Sequence, residues 1–503
     1  MAYLLGIDLG TSSVKAVLVD EKGSLLAIGQ EEYTFDIPRE GWAEQNPDLW
    51  WNATAAAITA ALHNSHIDPG DIACVGLAGQ MHALVPLDRE RQPVRKAIIW
   101  CDQRTMAQVD EIRRILGDER LGEIAHSPIA TGFQTASLLW MKENEPELYE
   151  KIATVVLPKD YIRFKLTGDL STDVTDAAAT LALDSNTGTW SEEIIGSLGL
   201  RRDIYPGIFR PDAVAGEVSH DAATRTGLKA GTKVVYGGAD QVTQAIGNGI
   251  ISPGEVLVNI GTGGQVVSLL SEPVYDKRLR SHSFNFIWPH SWYFLGAALS
   301  SGLSLRWFRT VVDGELSYGE IDKKVDLVPC GSEGLLFLPY LSGERTPCMD
   351  PHARGMFFGL TVNHTRWHLM RAVMEGVAYS MRDCLDIFTD DMGQKCGDVV
   401  VSGGGARSKP WLQILADVFG RPIYTTAMKE QAGFGAAIVA GIGAGCYTNY
   451  EEACTAVVRR QSYTYNPISA NVERYEKYHR LFKNIYAVNR ESMKTCEYLS
   501  RDS

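Results

Sequence analysis

Residues 4–27, LLGIDLGTSSVKAVLVDEKGSLLA, alternate short apolar runs with turns of small and polar residues, and this alternation decides the fold. The pattern predicts strands at 4–9, 14–19 and 24–28 that pair as an antiparallel meander. A carboxylate in an apolar strand is costly to bury unpaired, so Asp8 is expected to face a cation, a donor or water at the end of the sheet. The Gly-Thr-Ser-Ser turn after it offers free backbone N–H groups that can surround an anion, although such a turn is more often only a hairpin. The segment therefore indicates a site for phosphate and Mg²⁺.

The composition limits the kinds of protein to consider. At 503 residues the chain is too long for one hydrophobic core and should form two domains of about 250 residues each. The net charge of −13 repels a phosphate backbone, so nucleic acid is not expected as a partner. The sequence has no apolar stretch of about 18 residues and no basic segment ahead of an apolar core, so we expect a cytoplasmic protein without a membrane partner. Its nine cysteines, none in a CxxC pair, fit reduced thiols better than disulfides or a zinc site.

A second segment repeats the opening layout in the other half of the chain. VLVNIGTGGQVVSLL, residues 256–270, again has a strand, a Gly-Thr turn and a strand, just after a Gly-rich candidate domain boundary at 247–254. A third glycine turn, 403–405, precedes a predicted helix that opens near Pro410 and stops at Gly420. Each turn alone is usually only a turn, but three of them in two matched halves favour a nucleotide site. The pattern is neither a P-loop nor a Rossmann fingerprint.

Other segments predict the elements around these turns. Asn46-Pro47 starts a helix that runs to residue 62, and two short strands flank Gln80-Met81-His82 at a sheet edge of the kind where α/β proteins bind ligands. Residues 155–168 have a strand-like composition. Residues 474–490 predict an amphipathic closing helix, for which a homodimer contact is left open.

Three of these motifs together resemble those of the actin-like ATPase superfamily. GIDLGTSSVKA, NIGTGGQV and VSGGGARSKPW are similar to its two phosphate hairpins and its adenosine element. GMFFGLTVNHTRWHLMRAVMEG, residues 355–376, resembles the second signature of the FGGY carbohydrate kinases, and GFQTASLLWMKENEP resembles the first, with Ser137 where the family usually has Lys. Within that family, GWAEQNPDLWW, GLAGQMHALVPLD, IIWCDQRT and LPKDYIRFKLTGDLSTDVTDA are similar to the xylulokinases.

The resemblance implies an α/β fold of two actin-like (ribonuclease H-like) domains that flank an interdomain catalytic cleft. Residues 1–246 would bind the sugar, and residues 247–503 would bind the nucleotide. The implied activity is ATP-dependent phosphorylation of a ketopentose, D-xylulose to D-xylulose 5-phosphate, in xylose metabolism, with ATP and Mg²⁺. A hinge motion around 240–255 is expected, because closing the domains would keep water from the phosphoryl group. Small-angle scattering without compaction on adding sugar and nucleotide would contradict it.

The resemblance also implies residue roles. Asp240 is the catalytic base, although as a residue at a helix start it would otherwise be interpreted as an N-cap. From its position we expect it to be ionised and exposed. Asp8 is the metal ligand, and Gln241 stands where xylulokinases often have Asn. The substrate-binding residues are Gln80, Met81, His82, Trp100, Asp240 and Gln241. The ATP-binding residues are Thr11, Ser12, Lys15, Gly261, Thr262, Gly263, Gly403, Gly404, Gly405 and Ser408.

Several alternatives stay open at this point. The same chemistry on ribulose, gluconate, glycerol or erythritol is the nearest, and a non-catalytic actin-like ATPase is more remote. His82 is equally consistent with a core histidine whose hydrogen bonds are satisfied within the protein. Asp102 and Arg104 would add polar clamps beside Trp100, or these residues would contribute strand-end packing and a surface ion pair.

Overall fold

The computed structural model describes residues 2–501, which form two large mixed β-sheets and five two-stranded ones, with helices packed around them. The strands are β1 Tyr3–Leu9, β2 Ser13–Asp20, β3 Leu25–Glu32, β4 Glu44–Gln45, β5 Ile72–Gly79, β6 Val85–Leu87, β7 Ala97–Ile98, β8 Thr154–Val156, β9 Thr172–Asp173, β10 Leu183–Asp184, β11 Thr189–Trp190, β12 Ile208–Phe209, β13 Val214–Glu217, β14 Lys233–Val235, β15 Gly238–Ala239, β16 Val256–Ile260, β17 Gly264–Leu270, β18 His282–Asn285, β19 Trp292–Ala298, β20 Leu336–Leu338, β21 Met356–Phe358, β22 Val399–Gly403 and β23 Ile423–Thr425. The helices are α1 Pro47–Ser65, α2 Met106–Leu116, α3 Asp118–Ala125, α4 Gln134–Asn144, α5 Pro146–Tyr149, α6 Pro158–Thr167, α7 Val174–Ala179, α8 Glu192–Ser197, α9 His220–Thr226, α10 Asp240–Gly247, α11 Gly302–Asp313, α12 Tyr318–Val325, α13 Arg366–Asp386, α14 Lys409–Phe419, α15 Gln431–Ala444, α16 Tyr450–Val457 and α17 Ser469–Arg501.

The first sheet is built around the predicted meander. Its strand order is β13-β14-β5-β1-β2-β3, and β15 also pairs with β5. The β1–β2 and β2–β3 pairs are antiparallel, whereas β5 runs parallel to β1. The three predicted strands are confirmed, with β3 extending to Glu32. Because β1, β5 and β15 are parallel, the residues that follow them meet at one edge of the sheet.

The second sheet has the same plan. Its order is β18-β19-β17-β16-β22-β23, with β16–β17 and β17–β19 antiparallel and β22 parallel to β16. The Leu9–Val14 pair closes the first hairpin, and the Ile260–Gly264 pair closes its counterpart. The internal repeat predicted from the sequence is therefore confirmed as a pair of matching strand-turn-strand units.

Helices α10 and α15 pack against each other, and α15 also packs on β1 and β5 of the first sheet. Glycines allow this close approach: a Cβ on Gly435 would lie 1.8 Å from the carbonyl oxygen of Thr243, and one on Gly6 would lie 1.8 Å from that of Gly433. The C-terminal part of the chain thus contributes a helix to the packing of the first sheet. The division at 246/247 stays a prediction.

The expected helix boundaries agree with the structure except in one segment. The side chain of Asn46 caps α1 by accepting the N–H of Asp48 at 3.0 Å, and Gly420, with φ of 64°, ends α14. The strand-like interpretation of 155–168 is wrong beyond Val156, since α6 begins at Pro158. Proline suits a first helical position because its missing N–H has no partner there. None of the helices within residues 2–501 has the length and apolar composition needed to cross a bilayer.

Candidate active site

Three predicted site residues meet at the carboxyl edge of the first sheet. Asp8 in β1 lies in register with Ala78 of β5, and Gly238 of β15 pairs with the same alanine from the other side. Gln80 comes directly after β5, and Asp240 comes directly after β15 as the first residue of α10. The parallel pairing therefore brings Asp8, Gln80 and Asp240 together from three distant parts of the sequence.

Asp240 is largely buried, which corrects the expectation of an exposed, ionised carboxylate. Burial, and then the negative charge of Asp8, raise the pKa of Asp240 to about 7. Its Oδ1 and the Oε1 of the neighbouring Gln241 have no hydrogen-bond partner within the described chain. The N-cap of α10 is Ala239, so Asp240 does not cap the helix. A carboxyl group that titrates near neutral pH and has a free oxygen is suited to accept a proton.

Two charged side chains, Lys15 and Glu430, act on Asp8. Burial raises the pKa of Asp8 to about 6, against the lowering effect of the Lys15 charge, and the Glu430 charge raises it further. Lys15 and Glu430 form an ion pair of 2.5 Å, so a helix-preceding residue of the second half reaches the first phosphate turn. These two carboxylates and one lysine form a charged group around the end of β1.

A polar network fixes the first turn against the sheet edge. The indole N–H of Trp100 donates to Thr11 Oγ1 at 2.8 Å, and the Gln45 side chain donates to the Thr11 carbonyl at 2.8 Å. Gln80 Nε2 donates to Gln45 Oε1 at 3.1 Å, which also accepts from Trp50 at 3.0 Å. Gln45 is missing from the sequence predictions, because its only signal was the segment that resembles the xylulokinases.

His82 and Met81 lie between the two halves of the protein. His82 has φ of 73°, its Nδ1 lies 2.7 Å from the Ala179 carbonyl oxygen, and its ring packs 4.0 Å from that of Phe133. Burial lowers the pKa of His82 to about 3, so the imidazole is neutral. Met81 Sδ accepts from the Tyr293 hydroxyl at 4.0 Å. One ring nitrogen of His82 is thus hydrogen-bonded within the protein, as expected for a core histidine. The segment predicted to bind the sugar also contacts the second half of the protein.

The sequence analysis missed two aromatic residues of the second half, His282 and Tyr293. The His282 ring stacks on Phe284 at 5.3 Å and lies 5.7 Å from Phe133, and its buried Nδ1 has no partner among residues 2–501. Burial and the nearby Arg345 charge lower the pKa of His282 well below its usual value. Burial, and then the negative charge of Asp240, raise the pKa of Tyr293 well above its usual value. Both side chains come from β18 and β19, and nothing local marks them as site residues.

Asp102 and Arg104 form a buried ion pair, so the expected surface position of this pair is wrong. Arg104 binds Asp102 at 2.7 Å and Glu44 at 2.8 Å, and its guanidinium lies 3.7 Å from the centre of the Trp42 ring. Asp102 is fully buried. The pair instead supports the packing of the loop that carries Trp100.

A buried ionic cluster supports the start of α10. Lys159 Nζ lies 2.6 Å from Asp160, 2.8 Å from Asp173 and 3.3 Å from Asp176. Asp173 accepts from the Thr175 hydroxyl at 2.5 Å, and that hydroxyl oxygen accepts the Ala239 N–H at 2.9 Å. The cluster therefore holds the residue before Asp240.

A cavity of about 410 Å³ in the second half brings together five of the predicted ATP-binding residues. These are Gly261, Thr262, Gly404, Gly405 and Ser408. Leu305, Tyr318, Asp322 and Trp411 also line it, and sequence reasoning missed them. Ser408 Oγ donates to Asp322 at 2.7 Å and accepts from the Trp411 N–H at 3.3 Å. An apolar cavity with a glycine wall and a few polar groups suits a nucleoside.

The other residues predicted to bind the nucleotide lie at the margins of this cavity or elsewhere in the protein. Gly403, with φ of 79°, ends β22, and a Cβ there would lie 2.6 Å from the Ile260 carbonyl oxygen. Gly263 is close to Ala298, whose carbonyl oxygen a Cβ would approach to 2.8 Å. Ser12 is exposed and lines a separate surface depression with Tyr33.

Glu344 links Arg345 to the segment that packs on the second Gly-Thr turn. Its Oε1 accepts the N–H groups of Leu299 and Arg345, each at 2.8 Å. The segment that follows Leu299 contacts the second Gly-Thr turn, because the Gly302 N–H donates to the Gly261 carbonyl at 2.8 Å. Burial raises the pKa of Glu344 to about 8, so the carboxyl is largely protonated at neutral pH.

The residues fit a Mg²⁺ ion at Asp8 better than at the other acidic clusters. Mg²⁺ takes oxygen ligands and keeps several waters, and the charge of Asp8 acts on Asp240, whose Oδ1 has no partner within the described residues. The two other groups of three candidate ligands, Asp160 with Asp173 and Asp176, and Asp383 with Asp386 and His479, already hold the ammonium of Lys159 or Lys483.

Comparisons with known proteins agree with this geometry. The family model "FGGY family of carbohydrate kinases, N-terminal domain" matches residues 3–247, and its C-terminal counterpart matches residues 256–444. A curated protein from Bacillus subtilis named xylulose kinase is 38% identical over 486 residues, 97% of each chain. A ligand-bound xylulose kinase structure from Lactobacillus acidophilus superposes with a TM-score of 0.93 at 26% identity, covering 98% of this chain and 100% of that one. A gluconate kinase structure from the same organism gives 0.91 at 27% identity, covering 97% and 98%. The predicted α/β fold with two actin-like domains is confirmed.

Proposed function

This chain belongs to the FGGY family of carbohydrate kinases, and we propose that it transfers the γ-phosphoryl group of ATP to D-xylulose, giving D-xylulose 5-phosphate. The observation that carries the proposal is Asp240, a carboxyl group with an unpartnered oxygen beside Asp8 at the sheet edge. Relatives named xylulose kinase and the Gln80-Met81-His82 segment support D-xylulose as the acceptor.

The sugar hydroxyl needs a base, because an alcohol is a weak nucleophile at neutral pH. Asp240 accepts the hydroxyl proton as the new O–P bond forms and the bond to ADP breaks. Its pKa of about 7 matches this task, since the carboxylate is ionised in a large fraction of molecules and still binds a proton well. The Lys159 cluster positions it through the Thr175 hydroxyl and the Ala239 N–H.

The two Gly-Thr turns supply the phosphate contacts. Thr11 and Lys15 approach from the first half and Gly261–Gly263 from the second, so backbone N–H groups and one cation surround the phosphates. Asp8 would hold the Mg²⁺ of Mg-ATP, which neutralises charge on the phosphoryl oxygens when bound. The nucleoside would occupy the cavity beside Trp411.

ADP release from Mg-ATP, measured against D-xylulose, L-xylulose, D-ribulose, L-ribulose, gluconate, glycerol and erythritol, tests the proposal. D-xylulose should give the highest kcat/KM, and Asp240→Asn should lower kcat about 10²- to 10⁴-fold. Asp203→Asn, an exposed aspartate paired with Arg201, is the matched control and should keep full activity. A different preferred sugar would overturn the substrate and keep the kinase, whereas active Asp240→Asn would overturn the base.

The proposal extends to the cellular setting and the partners of the enzyme. We place the enzyme in the cytoplasm, with sugar and ATP as its small-molecule partners and neither nucleic acid nor membrane among them. Light scattering of the purified protein separates a monomer from a homodimer.

A further inference from the structure

Arg345 reaches the sugar side from the second half of the protein. It lies in the loop between β20 and β21, and its backbone N–H donates to Glu344 Oε1 at 2.8 Å. The same oxygen accepts the Leu299 N–H at 2.8 Å, and Glu344 is only 2% exposed. Two hydrogen bonds to one buried carboxyl group therefore fix the base of the Arg345 side chain.

The guanidinium group of Arg345 faces the first half. Its Cζ lies 5.7 Å from the centre of the Trp100 ring, and Trp100 in turn donates to Thr11. Within residues 2–501, no carboxylate forms an ion pair with this guanidinium, whereas Arg104, Arg163 and Arg371 each have an acidic partner. Arg345 is half-buried, and a guanidinium in that position without an ion-pair partner has N–H donors that suit a ligand.

The charged groups around Met81 and His82 form two sets. The Asp8 and Asp240 carboxyl groups interact at one end, where the phosphoryl group is transferred. The Arg345 charge acts on the neutral imidazoles of His82 and His282 at the other. Between them the Met81–Tyr293 contact joins the halves. An acceptor sugar with its reacting hydroxyl at Asp240 thus extends toward Arg345.

We propose that Arg345 is the residue that determines specificity at the non-reacting end of the sugar, by donating two parallel hydrogen bonds to its two terminal oxygens. The inference rests on the proposed sugar kinase function. In a 2-ketose those oxygens are the C1 hydroxyl and the C2 carbonyl, whose spacing matches the fork of a guanidinium group. A sugar acid places a carboxylate on the same donors, so aldonates are the second substrate class that this end accepts.

The polyol D-arabinitol separates recognition of the carbonyl from general packing, because it differs from D-xylulose only by reduction at C2. Arg345→Met should raise the KM for D-xylulose about 10- to 100-fold, the loss expected for hydrogen bonds from a charged group. The KM for D-arabinitol should rise less, and the KM for Mg-ATP should stay unchanged. For Arg345→Lys, the KM for D-xylulose should lie between those of the wild type and Arg345→Met, because lysine keeps the charge and lacks the two parallel donors.

Controls separate this inference from folding and from the proposed function. Arg202→Met, at an exposed arginine paired with Glu192, should behave as wild type, and sugar-independent ATP hydrolysis reports whether each variant folds. If Arg345→Met is unfolded, Arg345→Lys carries the test. An unchanged KM for D-xylulose, or an equal rise in the KM for Mg-ATP, overturns the role of Arg345 alone. A wild-type protein without turnover on any sugar overturns the kinase assignment and this role with it.

Discussion

The raised pKa of Asp240 predicts an acid limb in the activity profile near neutral pH. Lowering the pH from 8 to 6 should reduce kcat/KM for the sugar about tenfold, because only the ionised carboxylate accepts the hydroxyl proton. With a pKa of about 7, roughly one molecule in ten has Asp240 ionised at pH 6. An aspartate with the usual pKa of 3.8 would stay ionised over the whole range.

The causes of the raised pKa of Asp240 lead to a second expected result. Burial is the larger contribution, and the negative charge of Asp8 adds to it. A Mg²⁺ ion held at Asp8 would oppose that charge, so excess free Mg²⁺ should lower the pKa of Asp240 and move the acid limb to lower pH. Initial rates of ADP release between pH 5.5 and 9, with both substrates well below KM, report the free enzyme. The same series with excess free Mg²⁺, and both substrates still well below KM, gives the shift.

Two variants test whether the acid limb of the pH profile arises from Asp240. Asp240→Asn should leave a small residual rate without the limb, and exposed Asp203→Asn should reproduce the wild-type profile. A wild-type profile that stays flat from pH 8 to pH 5.5 would refute the reasoning, because the base would then titrate as an ordinary aspartate. A limb that moves upward on adding excess free Mg²⁺ would contradict the contribution of Asp8.

Two further predictions concern packing and the nucleotide cavity. Gly435→Ala should lower the free energy of unfolding by about 2 kcal/mol or more in urea, because its Cβ would lie 1.8 Å from the backbone oxygen of Thr243. Gly196→Ala, in α8 with no atom within 4 Å of the new Cβ, is the matched helical control and should be neutral or stabilising by up to about 1 kcal/mol; equal destabilisation would contradict the packing argument. Asp322→Ala removes the partner of Ser408 in the cavity and should raise the KM for ATP while the KM for the sugar stays constant; a change confined to the sugar would place the nucleotide elsewhere.

Features with a local cause could be predicted from the sequence. The two strand-turn-strand units follow from apolar runs interrupted by Gly-Thr, and the limits of α1 and α14 follow from Asn46 and Gly420. The error at 155–168 is also local in origin, since the apolar residues of β8 continue into α6 and only Pro158 marks the change. The segment is helical because α6 packs against other parts of the fold, and the periodicity of the sequence does not show this packing.

The parts of the site that sequence reasoning missed depend on distant segments. His282, Tyr293 and Arg345 stand in ordinary strand and loop sequences, and they reach the sugar side only because the second half folds over the first. The protonation of Asp240 was missed for the same reason. Its position at a helix start suggested an ionised group, whereas burial and the Asp8 charge, both products of tertiary structure, raise its pKa.

The packing of α10 against α15 bears on how the cleft closes. Asp240 begins α10 and Glu430, which holds Lys15, precedes α15, so the base and the lysine of the first turn both belong to the layer between the sheets. Backbone contact through Gly435 leaves this layer little room to deform, and rotation of one half should displace it least. The loop of Arg345 is outside that layer, so closure should move its guanidinium toward the sugar while Asp240 stays in place. If sugar alone drives closure through this contact, D-xylulose should compact the wild-type protein in small-angle scattering and leave Arg345→Met unchanged; equal compaction of both would assign closure to other contacts.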